Sequence, residues 1–230
     1  ANKCKSLDEL KAVTVDGRTV ADLVIEEGGK TGEKTEIGAY EYLEAPSTTS
    51  YNHLGNKLAT IAGFNLEGVD AQVGKDVAMQ VASMNPIAVD RDSVAKSIVE
   101  AEYNVAVEKT KEEQVKKAVE AALKKAGINP NLVDSEDHIS SNIAKGWLTE
   151  EEADKARKIA KETAEAKAAN LPEQMIQNIA NGRVNKFYKE NCLMEQEFIK
   201  DGNLTIGKYL EQAQKGLVVV TFKRVNLNED

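Results

Sequence analysis

The sequence predicts an α+β fold: a small antiparallel-sheet core with packed helices, interrupted by a long antiparallel, coiled-coil-like helical arm. The reading rests on three features. Residues 91–191 are rich in Ala, Glu, Lys and Gln, and apolar side chains recur every three or four positions. The rows Val94, Ile98, Ala101, Val105 and Ile176, Ala180, Val184, Phe187 are examples, and that spacing puts each row on one helix face. Segments with strand-like alternation lie on both sides of this stretch. The strongest strand signal, at 217–227, follows it, and the hairpin it should pair with, at 50–65, precedes it. A shared sheet then requires the helical run to leave and return. The expected domains are 1–46 (the remainder of an N-terminal core subdomain), 47–90 with 192–230 (a C-terminal core subdomain), and 91–191 (the inserted arm).

In chain order, the sequence begins at Ala1 without a methionine, and a preceding segment is expected to have been removed. Ser6 with Glu9 reads as a capping box. Thr19 with Asp22 caps a second helix, whose apolar face is Val20, Leu23 and Val24 and which Gly28-Gly29 should end. Residues 35–43 alternate, with Ile37, Ala39 and Leu43 on one face and Tyr40 and Tyr42 on the other, which predicts a strand. One strand cannot satisfy its own backbone. Its partners lie either in the later core or in an upstream part, and the second is favoured, so the chain reads as truncated at its N-terminus.

Residues 50–54 and 57–65 flank Gly55-Asn56, a dipeptide suited to a tight primed turn. Residues 69–84 carry helical spacing until Asn85-Pro86, because the residue before proline is pushed out of the helical region. The arm should open near Asp92 or Ser93 and run to Ala126, roughly 50 Å at 1.5 Å per residue, with a kink or a change of partner at the polar patch 108–114. Ser135 caps a short helix, and Thr149 with Glu152 forms a capping box that Leu148 staples onto Ala153. Leu171-Pro172 restarts the helix that returns to Glu190. Residues 192–198 are irregular or extended. Thr205 caps a helix to about Gln214, and 217–227 closes a three-stranded antiparallel sheet with the hairpin.

Composition narrows the function classes. The net charge of −8, with 30 Lys and Arg against 38 Asp and Glu, argues against general nucleic-acid affinity, which needs cations to displace counterions. No apolar run approaches the roughly 20 residues that span a bilayer, and no signal peptide is visible. Cys4 and Cys192 follow no metal or redox spacing and are expected to be reduced thiols of a cytoplasmic protein.

Motifs for bond-breaking chemistry are sparse. Gly29-Lys30-Thr31 matches the end of a phosphate loop, but Val24 stands where that motif needs glycine, and the segment runs from helix to strand; a helix C-cap is the plain alternative. Asn203-Leu204-Thr205 reads as a helix cap before it reads as a glycosylation acceptor. His138 sits in an acidic segment at the arm's tip. His53, near the hairpin turn, is either a turn residue or part of a site. No serine or cysteine has a nearby base and no carboxylate cluster has metal spacing, so no catalytic residue, metal or cofactor is expected.

A resemblance carries further. The run from Gly74 to Pro86 (Gly-Lys-Asp-Val-Ala-Met-Gln-Val-Ala-Ser-Met-Asn-Pro), with Tyr51-Asn52-His53 upstream and Asn181-Gly182-Arg183-Val184-Asn185-Lys186-Phe187 and Leu193-Met194-Glu195-Gln196-Glu197-Phe198 downstream, resembles the elongation factor Ts family. The likeness covers the chain apart from about 109–168, where the arm looks longer than usual. That arm and the Ala-Asn-Lys-Cys-Lys start resemble the Bacteroides-type version. The resemblance implies a guanine-nucleotide exchange factor for elongation factor Tu, not an enzyme, with two small-sheet subdomains and an arm often used for homodimerisation. It implies partner contacts at Thr31 and Gly32, matching the family's Ile-Gly pair, and at Tyr51 and His53, matching its Tyr-x-His. Two departures stand out. Gly38-Ala39 replaces a common Arg-Arg pair, and the Thr-Asp-Phe-Val-Ala motif that wedges into the GTPase near its magnesium site does not occur in the sequence. The competing reading is a structural module that self-associates through the arm.

Overall fold

The computed structural model describes residues 2–228. The chain forms two compact units. One runs to Val94 and resumes at Tyr188; the other is Ala95–Phe187.

The first unit begins with α1 (Leu7–Ala12), where Ser6 Oγ accepts from the Glu9 N–H at 3.2 Å. The Glu9 carboxylate takes the Lys5 N–H at 2.7 Å, so the capping box closes one residue early. Then come β1 (Thr14–Val15) and β2 (Arg18–Thr19), joined by Asp16 and Gly17 with φ of 49° and 80°. That Asp-Gly pair makes the two-residue left-handed turn that suits the twist of a hairpin. In α2 (Val20–Thr31), Thr19 and Asp22 form the full reciprocal capping box. Gly28-Gly29 does not end this helix, contrary to expectation; it continues to Thr31, and Gly32 (φ 72°) is the left-handed cap. Gly28 serves packing instead: a Cβ there would lie 2.9 Å from the Glu33 carbonyl oxygen, where the chain doubles back.

β3 (Ser47–Asn52), β4 (Leu58–Phe64) and β7 (Val219–Asn226) form a three-stranded antiparallel sheet in the order β3-β4-β7. Ile61 stands opposite Ser50 on one side and Lys223 on the other. The hairpin and the final strand therefore share one sheet, as the sequence predicts. One face meets α3 (Ala71–Met84). Phe64, Ala62, Val77, Val81, Leu193, Ile206, Leu210, Leu217 and Val219 are buried together as the core. Burying each large side chain contributes about 1.5–3 kcal/mol. Thr60, also buried, donates to the Ala78 carbonyl at 2.7 Å, which satisfies the polar atom on this face. At Gly74 a Cβ would come within 2.2 Å of Thr49 Oγ1, so glycine is what lets α3 lie directly on β3.

The other sheet face is crossed by residues 34–45, which are neither helix nor strand. The predicted strand at 35–43 is thus a correction. A Cβ on Gly63 would meet Leu43 at 2.7 Å and Ala45 at 2.9 Å, Glu41 pairs with Lys223 at 3.2 Å, and the Tyr40 hydroxyl donates to the Cys4 carbonyl at 2.8 Å. The segment lies on the sheet through Glu41, Leu43 and Ala45 without a hydrogen-bonded ladder.

Beyond the arm, β5 (Glu197–Phe198) and β6 (Asp201–Thr205) form a small unpredicted hairpin, followed by α8 (Ile206–Ala213), capped by Thr205. Asp76 of α3 is 5% exposed. It accepts hydrogen bonds from Lys200 Nζ (2.6 Å), Gln72 Nε2 (2.6 Å) and the Tyr209 hydroxyl (2.9 Å), tying α3 to the hairpin and α8. Where the chain departs for the arm and where it returns, residues 87–89 run parallel to 191–194. Asn191 and Ala88 carbonyls take the Ile87 and Leu193 N–H groups at 3.0 and 2.9 Å.

The second unit is built on α4 (Lys96–Lys125), an unbroken 30-residue helix with Gly127 (φ 79°) beyond its end. No break occurs at the polar patch: Thr110 is fully buried and returns its hydroxyl to the Ala106 carbonyl at 2.6 Å. α5 (Glu136–Ala144) and α6 (Glu150–Ala169) follow, and α7 (Glu173–Asn191) leads out of the unit. Leu123 and Val119 of α4 pack with Ala156 and Ile159 of α6, which sets the two helices antiparallel. Further along, Glu113 pairs with Arg183 of α7 at 2.7 Å. Ile139, Leu148 and Ala153 form a separate cluster around α5, and the Leu148–Ala153 contact is the expected staple.

Candidate partner-binding site

Thr31 and Gly32 close α2. The Thr31 hydroxyl donates to the carbonyls of Glu27 and Gly28 at 3.2 and 3.3 Å, and the Gly32 N–H bonds the Gly28 carbonyl at 3.0 Å. These bonds satisfy carbonyls that a helix end leaves without partners. Both residues are exposed. Nothing lies within 4 Å of a Cβ placed on Gly32, but its φ of 72° strains any other residue. One turn back, the hydrogen bond from Lys30 and the charge of Arg18 hold Glu26 below the usual carboxylate range.

Tyr51 and His53 lie two residues apart at the end of β3. The tyrosine hydroxyl is 2.9 Å from His53 Nδ1, and the rings are 5.9 Å apart and tilted by 59°. The hairpin turn is wider than the expected two residues. His53 N–H bonds the Leu58 carbonyl at 2.8 Å, and the Asn56 N–H bonds the His53 carbonyl at 3.0 Å. Gly55 and Asn56 both adopt positive φ, 93° and 58°, and Asn52 Nδ2 donates to Asn56 Oδ1 at 2.7 Å. The imidazole is therefore carried on a fixed backbone, with one ring nitrogen engaged by Tyr51 and the other edge toward solvent.

The four positions form two pairs, each held within its own element, and no hydrogen bond or ion pair among the described residues links them. A cavity of about 320 Å³ opens between residues 38–41 and the sheet, floored by Ala59, Ile61 and Val225 and bordered by Lys57 and Lys223. It arises from how residues 34–45 cross the sheet, and no sequence motif signals it. Among the described residues no three His, Cys, Asp or Glu side chains are grouped to hold a metal ion. No helix there is long and apolar enough to cross a membrane.

A family profile described as Elongation factor TS matches residues 1–229. The chain belongs to the elongation factor Ts family. It is 54% identical over 231 residues to elongation factor Ts of Bacteroides thetaiotaomicron and 52% identical to that of Phocaeicola vulgatus. Each of these alignments covers 100% of this chain and 70% of the relative. Elongation factor Ts of Porphyromonas gingivalis is 38% identical over 224 residues, covering 97% of this chain and 61% of that protein.

Proposed function

We propose that this chain is a guanine-nucleotide exchange factor for elongation factor Tu, acting in the cytoplasm during translation elongation. It promotes GDP release by binding the GTPase through a surface that includes Thr31, Gly32, Tyr51 and His53. Its match along the whole length to elongation factor Ts, at 54% identity, carries the reading. The division into 1–46, 47–90 with 192–230, and the arm 91–191 belongs to the same proposal.

Exchange of this kind needs no reacting group. A protein that binds the empty GTPase more tightly than the GDP-bound form must, by linkage, lower GDP affinity by the same factor. A coupling of a few kcal/mol amounts to roughly a hundredfold. Rigid, exposed contacts serve this purpose, because ordering them on binding loses little entropy. The Tyr51–His53 pair on its bonded turn fits that requirement.

The test is GDP release from elongation factor Tu, followed with a fluorescent GDP analogue. The chain should accelerate release in proportion to its concentration. Since Thr-Asp-Phe-Val-Ala does not occur in these 230 residues, the acceleration should fall short of that given by a family member carrying the motif. Full acceleration would show that motif to be dispensable. No acceleration together with no binding would overturn the reading.

Self-association through the arm is a second reading. It draws on Ile98 and Val105 of α4, 42% and 47% exposed, and on a cavity of about 520 Å³ lined by Tyr103, Val107, Leu171 and Ile176. Sedimentation of the chain alone and with elongation factor Tu separates homodimerisation from GTPase binding.

A further inference from the structure

We infer that Leu54, at the tip of the β3–β4 hairpin, is a further contact residue for the GTPase: an apolar knob that enters a recess on elongation factor Tu beside the surface met by His53. The inference rests on the reading of Tyr51 and His53 given above and extends that site by one residue.

A single exposed leucine is ordinary on a protein surface, so exposure alone decides nothing. Three observations coincide here. Leu54 is 94% exposed, whereas Ile25, Trp147 and Leu227, other exposed apolar residues, reach only 72%, 64% and 59%. Its side chain is therefore barely involved in the fold. Second, its backbone is fixed: the turn is closed by the Asn56-to-His53 and His53-to-Leu58 hydrogen bonds and by the side-chain bond between Asn52 and Asn56. The knob is presented in one place, with little backbone freedom left to lose on binding. Third, it directly follows His53, whose ring is oriented by Tyr51 at 2.9 Å.

Chemistry favours a protein partner with an apolar recess. An imidazole held by a phenol, with an exposed branched aliphatic residue next in the chain, supplies polar and apolar groups on one turn, the make-up of a protein–protein contact whose centre is apolar and whose rim is polar. A leucine contributes by burial alone, so its effect should appear in the dissociation rate more than in the association rate.

The experiment measures binding of elongation factor Tu to the chain, unsubstituted and as Leu54→Ala, Leu54→Met and His53→Ala, with thermal unfolding of each. Leu54→Ala should raise Kd on the order of tenfold, as expected for a buried leucine truncated to alanine. Most of that change should lie in faster dissociation, with an unchanged melting temperature and near-normal binding by Leu54→Met. If Leu54→Ala binds within twofold of the unsubstituted chain while His53→Ala is weakened, the knob is refuted and the reading of His53 stands. If neither substitution matters, or the unsubstituted chain does not bind, both fall. A lowered melting temperature for Leu54→Ala would show that the side chain packs within the fold, and would also overturn the inference.

Discussion

Asp76 is the position where one substitution should most clearly loosen the first unit. Its carboxylate accepts three hydrogen bonds, from Lys200, Gln72 and Tyr209, and is itself almost completely buried. A hydrogen bond to a charged group is worth about 1.5–3 kcal/mol net. The Lys200 side chain is 45% exposed and Gln72 is exposed, so in Asp76→Ala both regain water and their shares are much reduced. Tyr209 is half-buried against Phe198, ring centroids 4.3 Å apart, and keeps most of the loss. Alanine returns about 0.5 kcal/mol of helix preference. The expected net loss is about 2–3 kcal/mol. Burial by itself would raise the Asp76 pKa. The hydrogen bonds from Lys200, Tyr209 and Gln72 and the Lys200 charge outweigh it, so the pKa lies below the usual value. A depressed folded pKa means the stabilisation is complete above the unfolded value of about 3.9 and is lost as the pH falls through the folded one.

Urea unfolding should be followed by near-ultraviolet circular dichroism of the tyrosines, of which all but Tyr103 lie in the first unit, because the single tryptophan, Trp147, belongs to the other unit. The deficit of Asp76→Ala should be full at neutral pH and shrink in strong acid. Tyr209, pushed up to about 12 by burial and then by Asp76, should titrate lower in the variant. A loss below about 1 kcal/mol, or one equal at neutral and acid pH, would refute the reasoning.

Three other outcomes can be checked alongside it. His53→Ala should weaken binding to elongation factor Tu without changing the melting temperature, and unchanged affinity by calorimetry would remove His53 from the surface. Gly74→Ala should destabilise the first unit by about 2 kcal/mol or more despite alanine's helix preference, since the new methyl group would overlap Thr49 and push β3 off α3; denaturant midpoints decide this. Thr149→Ala removes the cap of α6 and should lower the second unit's stability by about 1 kcal/mol, read from the fluorescence of nearby Trp147.

Much of this architecture is legible in the residues because local signals and burial agree. The caps at Thr19, Ser135, Thr149 and Thr205 lie where Ser and Thr precede amphipathic runs, and each accepts the expected backbone N–H. The pairing of 58–64 with 219–226 follows from two β-rich segments on either side of an insertion. Elsewhere local pattern and tertiary context part. Alternation at 35–43 does not become a ladder: Ala39 of the expected apolar row is exposed, whereas Tyr40 and Tyr42 of the other row are half-buried with Ile37 and Leu43, because the segment lies across the sheet instead of joining it. The β5–β6 hairpin passes unnoticed because Asp201-Gly202-Asn203 is polar and exposed, with no apolar row to announce a strand. Thr110 counts as polar in the sequence, yet its hydroxyl is satisfied within its own helix, so it joins the interior. At the candidate site, His53 and Tyr51 are found by resemblance and their mutual bond by structure, whereas Leu54 has no sequence signature at all. Its exposure is a property of the turn.

The segments 87–89 and 191–194 are held side by side by backbone bonds of their own, around a single parallel bridge between Ala88 and Cys192. For the host fold, the connection through 95–187 is therefore a loop whose closure is already secured, and closure entropy grows only slowly with loop length. Homologues could lengthen or shorten this excursion by whole helices at little thermodynamic penalty to the sheet. Replacing 95–187 by a short glycine–serine bridge should leave a folded remainder.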